Sequence, residues 1–138
     1  MFSIGDLSRR TGVKIPTIRY YEDAGLLPTA ERTSGNQRRY DGAGLERLSF
    51  IRHARDLRFS IRDIRSLIDL QDHPDRTCCD ADEIAAARLA DVREKLGKLR
   101  ALESELLRIS RGCAGQGVAR DCKILASLSN HDLCKGPH

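Results

Sequence analysis

The chain has no tryptophan and only three tyrosines and three phenylalanines in 138 residues. Whatever core it builds is therefore mostly aliphatic. No apolar run approaches the ~20 residues that cross a bilayer, so neither a transmembrane helix nor a membrane partner is expected. Met1-Phe2-Ser3 opens directly into helix-like sequence rather than a signal peptide, which predicts a cytoplasmic protein. Also missing are a His-Glu pair at metal-ligand spacing and a glycine-rich phosphate loop. A zinc-dependent hydrolase is the weakest of the function classes considered; no catalytic residue is assigned, and no enzyme activity is expected.

What is present is unevenly placed. The net charge is +4, and residues 1–70 hold 13 Lys and Arg against 9 Asp and Glu, whereas residues 71–138 hold 11 of each. A basic front half joined to a neutral back half fits a nucleic-acid reader coupled to something else. The five cysteines are an odd number, and four of them sit in two short clusters outside regular elements. In a cytoplasmic setting such thiols are metal ligands or redox groups more often than disulfides.

The stretch Asp80 to Arg111 organises the chain. Ala85, Leu89, Val92, Leu96, Leu99, Leu102, Leu106 and Ile109 step by three or four, the period of one stripe along a long helix. Asp80 with Glu83 reads as its capping box and Gly112 as its stop. Charges such as Arg88, Asp91, Glu94, Lys95 and Lys98 flank the stripe. A surface helix of one globular domain is the bland alternative, but so long a seam needs a long partner, and a second copy of the chain supplies one. At about 1.5 Å per residue the helix ends lie roughly 45 to 50 Å apart, so Cys78 cannot reach Cys113 of its own chain. Antiparallel pairing of two copies brings cysteines of different chains together at each end. A homodimer with two shared thiol sites is expected.

Earlier in the chain, Ser3 with Asp6 starts a short helix carrying Ile4 and Leu7, which Gly12 ends. Pro16 opens a second that runs to Gly25. Two short helices across a three-residue turn form a helix-turn-helix whose second member enters the major groove. Lys14, Thr17, Arg19 and Tyr20 offer donors to phosphates and base edges. Turn chemistry at Thr33-Ser34-Gly35-Asn36 predicts a hairpin from Glu31 to Thr33 and Gln37 to Tyr40, with Arg32, Arg38 and Arg39 as a basic wing. Asp41 opens a third helix with Leu45, Leu48, Phe50, Ile51 and Leu57 inward and Arg47, Arg52, His53, Arg55 and Arg58 outward. Arg52 and Arg55 are candidates for a second basic wing. Ser60 with Asp63 opens a fourth helix, buried through Ile61, Ile64, Leu67, Ile68 and Leu70.

These residues carry a resemblance. Ile4-Gly5-Asp6-Leu7-Ser8, Thr17-Ile18-Arg19-Tyr20-Tyr21-Glu22, Gly25-Leu26-Leu27, Arg38-Arg39-Tyr40 and Phe50-Ile51-Arg52-His53-Ala54-Arg55 with Phe59-Ser60-Ile61 are similar to the MerR family of transcription regulators. The resemblance covers roughly residues 1 to 125. Lys14, Thr17, Arg19, Tyr20, Arg38, Arg39, Tyr40 and Arg52 are the residues expected to contact DNA.

Cys78, Cys113 thirty-five residues on and Cys122 nine further resemble the thiol spacing of the metal-sensing branch. The resemblance implies that Cys113 and Cys122 hold an ion completed by Cys78 of the partner subunit. Sensors of monovalent ions typically carry serine at the position of Cys78, and a third thiolate suits a divalent ion. Cys79, His131 and Cys134 are further donors; zinc sensors of the family use additional Cys and His ligands, and this resemblance ranks zinc ahead of cadmium, lead and mercury.

The expected fold is mainly α: a winged helix-turn-helix over 1–72, a cysteine linker over 73–79, a dimerisation helix over 80–111 forming an antiparallel coiled coil, and a metal-binding loop and tail over 112–138. The expected function is a metal-responsive regulator of a palindromic operator, and the resemblance implies an activator that distorts promoter DNA so that RNA polymerase can engage it. A thiol redox or organic-ligand sensor on the same scaffold is the alternative.

Overall fold

Ser3 caps the first helix, α1 (Ile4–Thr11), with a complete capping box. Its hydroxyl accepts from the Asp6 amide at 3.1 Å, and the Asp6 carboxylate accepts from the Ser3 amide at 3.0 Å. Two of the orphan donors at the helix start are thereby satisfied. The computed structural model describes residues 1–28, 31–32, 34–35, 37–111 and 117–129. These divide into two compact units, Met1–Ile84 and Ala85–His138.

In the first unit α1 ends at Gly12, whose φ of 75° is the left-handed conformation a helix stop requires. Thr11 is buried, and its hydroxyl donates to the Leu7 carbonyl at 2.7 Å while accepting from the Val13 amide at 3.2 Å. One side chain thus sets the turn into α2 (Ile15–Asp23), where Pro16 occupies the first turn. The end of α2 is a Schellman motif: the Leu26 amide donates to the Tyr21 carbonyl at 2.9 Å and the Gly25 amide to Glu22 at 3.1 Å, with Gly25 at φ 78°.

The expected hairpin is present as β2 (Glu31–Arg32) and β3 (Arg38–Tyr40), paired antiparallel with Glu31 opposite Arg39 and Arg32 opposite Arg38. A third strand, β1 (Phe2–Ser3), pairs with the other edge of β3, Phe2 opposite Tyr40. The sheet order is β1-β3-β2.

Asp41 caps α3 (Gly42–Asp56) through the Gly44 amide, and Ser60 caps α4 (Ile61–Gln71) through the Asp63 amide. Leu7, Ile18, Leu26, Leu48, Ile51 and Ile64 are fully buried where these helices meet. The core is mostly aliphatic, as the scarcity of aromatics requires, with Tyr21 and Tyr40 the buried aromatics among the described residues. Three residues of α3 and its flank depart from expectation. Leu57 lies beyond the last helical turn and is 55% exposed. Arg47 is half-buried and donates to Asp72 at 2.6 Å. Arg55, half-buried as well, donates to the Phe59 carbonyl at 2.7 Å, so its guanidinium is spent on the corner between α3 and α4.

α5 (Cys79–Arg111) starts one residue before Asp80, with the Cys78 carbonyl accepting from the Asp82 amide at 3.0 Å. Asp80 therefore lies in the first turn beside Asp82 rather than at the cap, a place where the helix dipole equally favours a carboxylate. Gly112 lies outside the described residues. In the second unit a short 3-10 turn, Ala119–Asp121, leads to α6 (Lys123–Ser129), a helix where a loop was expected. Among the described residues there, Glu105 and Ile109 on α5 and Ser127 on α6 are buried, Glu105 receiving the Arg108 guanidinium.

Candidate nucleic-acid interface and metal-binding thiols

α2 divides into an anchored side and an open one. Ile18 and Tyr21 are buried, whereas Lys14, Arg19 and Tyr20 are exposed and Thr17 half-buried. The Tyr20 ring, 55% exposed, leans on Tyr21 at 5.8 Å between centroids. These donors lie on or just before the helix that follows the turn, the element that in a helix-turn-helix can read a groove.

Beside it, Arg39 is half-buried on β3 and Arg32 exposed on β2, while the Arg38 side chain lies outside the described residues. Tyr40, expected on the same face, is 3% exposed, and its hydroxyl donates to Glu22 at 2.5 Å. It belongs to the core, because strand pairing with Phe2 covers it. Arg52 is exposed, 3.8 Å from Asp56, and its guanidinium lies against Gly12 so closely that any side chain there would displace it. It stands at the turn of the helix-turn-helix. Arg55, turned onto Phe59, does not join it. Arg10, which sequence reasoning passed over, lies over the Phe2 ring at 4.7 Å. Its place in the last turn of α1 was the available signal.

Among the described residues, Cys78 and Cys79 are exposed thiols at the start of α5, and Cys122 is a half-buried thiol following the 3-10 turn. Its amide donates to the Ala119 carbonyl at 3.0 Å. Cys113, His131 and Cys134 lie outside the described residues. No three Cys, His, Asp or Glu side chains among the described residues gather into one group able to hold an ion. The thiols are of the soft type that zinc, cadmium, lead and mercury prefer, so the donor set fits those ions.

Along α5, Leu89, Leu96, Leu99, Leu102 and Leu106 are between 37% and 63% exposed, an apolar stripe open along the helix. Ile109, read as part of that stripe, is buried within the chain. Ion pairs such as Lys95–Asp91 at 3.1 Å and Lys98–Glu94 at 3.3 Å mark the solvated side.

A family model described as MerR HTH family regulatory protein matches residues 2–71, and one described as MerR, DNA binding matches residues 45–109. The chain belongs to the MerR family. Relatives align along nearly its whole length. The HTH-type transcriptional regulator ZntR of Escherichia coli is 36% identical over 130 residues, 93% of this chain and 92% of the relative. The transcription regulator PbrR691 of Ralstonia metallidurans, solved in complex with lead(II), is 41% identical with a TM-score of 0.79, covering 93% of this chain and 99% of that one. MerR of Bacillus megaterium, in complex with mercury(II), is 26% identical with a TM-score of 0.69, covering 94% and 100%. The likeness is to the metal-sensing branch of the MerR family. Among the described residues no helix is long and apolar enough to cross a membrane.

Proposed function

We propose that this MerR-family chain is a metal-responsive transcription regulator working as a homodimer on promoter DNA in the cytoplasm, and that it carries no catalytic activity. The leucine stripe of α5, left exposed by its own chain, carries this reading. A helix of 33 residues spans about 50 Å, and so long an apolar seam is stabilised by a second copy of itself. Antiparallel pairing sets Cys78 of the partner subunit beside Cys113 and Cys122. Three thiolates favour a divalent ion, zinc first and cadmium, lead or mercury next, with Cys79, His131 and Cys134 as additional donors. Bound there, the ion supplies charge neutralisation and a crosslink between subunits. We assign residues 1–72 to DNA binding, 73–79 to the cysteine linker, 80–111 to dimerisation and 112–138 to metal binding.

Each protomer's α2 then reads one half of a palindromic operator through Lys14, Thr17, Arg19 and Tyr20, while Arg38, Arg39 and Arg52 grip flanking phosphates. The ion shifts a two-state dimer only as far as it binds one state more tightly, and the favoured state distorts the promoter so that RNA polymerase engages it.

The test is titration of the full chain with zinc, cadmium, lead and mercury while promoter transcription and thiol labelling are followed together. Joint protection of Cys78, Cys113 and Cys122 alongside activation is expected. Activation by peroxide with no metal effect would replace metal sensing by thiol oxidation.

A further inference from the structure

α2 closes its last backbone turn with a Schellman motif but has no side-chain cap and no basic residue of its own at its end. At its start Lys14 makes no side-chain capping bond, and its last turn holds Glu22 and Asp23 with no basic residue. Carboxylates at the negative end of a helix dipole are unfavourable. The Schellman motif satisfies the Tyr21 and Glu22 carbonyls but not that of Ala24. Two side chains distant in sequence make up the difference. Arg65 on α4 donates through Nη2 to the Ala24 carbonyl at 2.7 Å, and Tyr40 on β3 donates to Glu22 at 2.5 Å. The first places a positive charge at the negative helix end; the second ties the Glu22 carboxylate to the wing.

We propose that Arg65 and Tyr40 are positioning residues for DNA reading, which grip the last turn of α2 from α4 and β3 and thereby set the angle at which its first turn meets the base edges. This rests on the reading of α2 as the recognition helix. A helix of nine residues is about 13 Å long, so a tilt of about 10° around its held end moves the reading end by roughly 2 Å. That displacement exceeds the tolerance of a bidentate base contact and leaves phosphate contacts largely intact, since these reach through long flexible side chains.

Arg65 offers a distinction that a merely structural residue does not. A side chain acting through α2 changes the ratio of specific to non-specific affinity. One that touches a phosphate lowers both alike and reduces the salt slope by about 1.

The experiment uses the full chain and duplexes selected by it from a random pool, compared with a scrambled duplex of equal composition, over a range of salt. Arg65→Met and Tyr40→Phe are expected to lower the specific-to-non-specific ratio by roughly five- to tenfold, part of what one base contact is worth. Non-specific affinity and the salt slope stay as in the native chain. Arg65→Lys, which still donates to a carbonyl, restores most of the ratio. The thermal midpoint of each variant, measured alongside, separates tilting from unfolding, because Tyr40→Phe keeps the ring in the core. An unchanged ratio overturns the proposal, as does a uniform loss with a shallower salt slope, which would make Arg65 a phosphate contact. If the native chain selects no sequence at all, the recognition-helix reading fails first and takes the proposal with it.

Discussion

The Phe59 amide donates to the Ala54 carbonyl over 3.1 Å, and Arg58, the residue immediately before Phe59, is driven to φ 64°. With the Arg58 amide on the Arg55 carbonyl at 2.9 Å, this is the same Schellman pattern that ends α2, with arginine where α2 has Gly25. A side chain in the left-handed region costs about 1–2 kcal/mol, part of which glycine returns as unfolded-state entropy. Arg58→Gly should therefore stabilise the DNA-binding unit by about 1 kcal/mol, read as a higher urea midpoint at constant m.

At the start of α1, the Ser3 backbone amide and then the Ser3 hydroxyl hold the Asp6 carboxyl below the ordinary aspartate value, outweighing an opposing desolvation, and the Arg9 charge adds a lesser lowering. A depressed folded-state value means stability that is present above the ordinary aspartate pKa and lost as pH falls through the lowered one. Asp6→Asn should lower the neutral-pH midpoint and flatten the acid limb of the pH profile in that window. A limb of unchanged steepness would show that other carboxylates dominate acid unfolding.

Leu99 and Leu106 are the most exposed members of the α5 stripe, at 60% and 63%. Leu99→Asp with Leu106→Asp should shift the chain to monomer in sedimentation and weaken operator binding at least tenfold, because the two half-sites lose their linkage. Lys95→Ala, on the solvated side, should leave the assembly unchanged, since exposed pairs contribute about 0–1 kcal/mol.

Thiolate ligation releases protons, so metal response should weaken as pH falls. Cys122→Ser and Cys78→Ser should each remove induction while operator affinity without metal stays within about twofold. Mixing the two variants as a heterodimer should restore one site of the pair, which promoter transcription and metal stoichiometry report. No recovery in the heterodimer would place all three thiols in one chain.

Much of the DNA-binding unit was legible because it is written in local chemistry. Ser3 with Asp6, Ser60 with Asp63, Pro16, Gly12 and Gly25 each act within a few residues, and each marks an observed boundary. Long-range choices were not legible. Phe2–Ser3 is too short to show a strand period, and its pairing with β3 is what draws Tyr40 into the core. Nothing near Arg65 in sequence announces its bond to the Ala24 carbonyl. The start of α5 shifted to Cys79 because Asp80 suits the first turn as well as a cap. α6 was missed because seven residues with no cap signal carry too little periodicity.

The pairing of Phe2 with Tyr40 has a practical corollary for anyone handling the molecule. An amino-terminal fusion partner, or trimming that removes Phe2 and Ser3, acts next door to Arg39 even though the intervening chain is long. Such changes should disturb promoter affinity, whereas the α5 leucines, in the other unit, should tolerate them, so purification handles belong elsewhere on the protein.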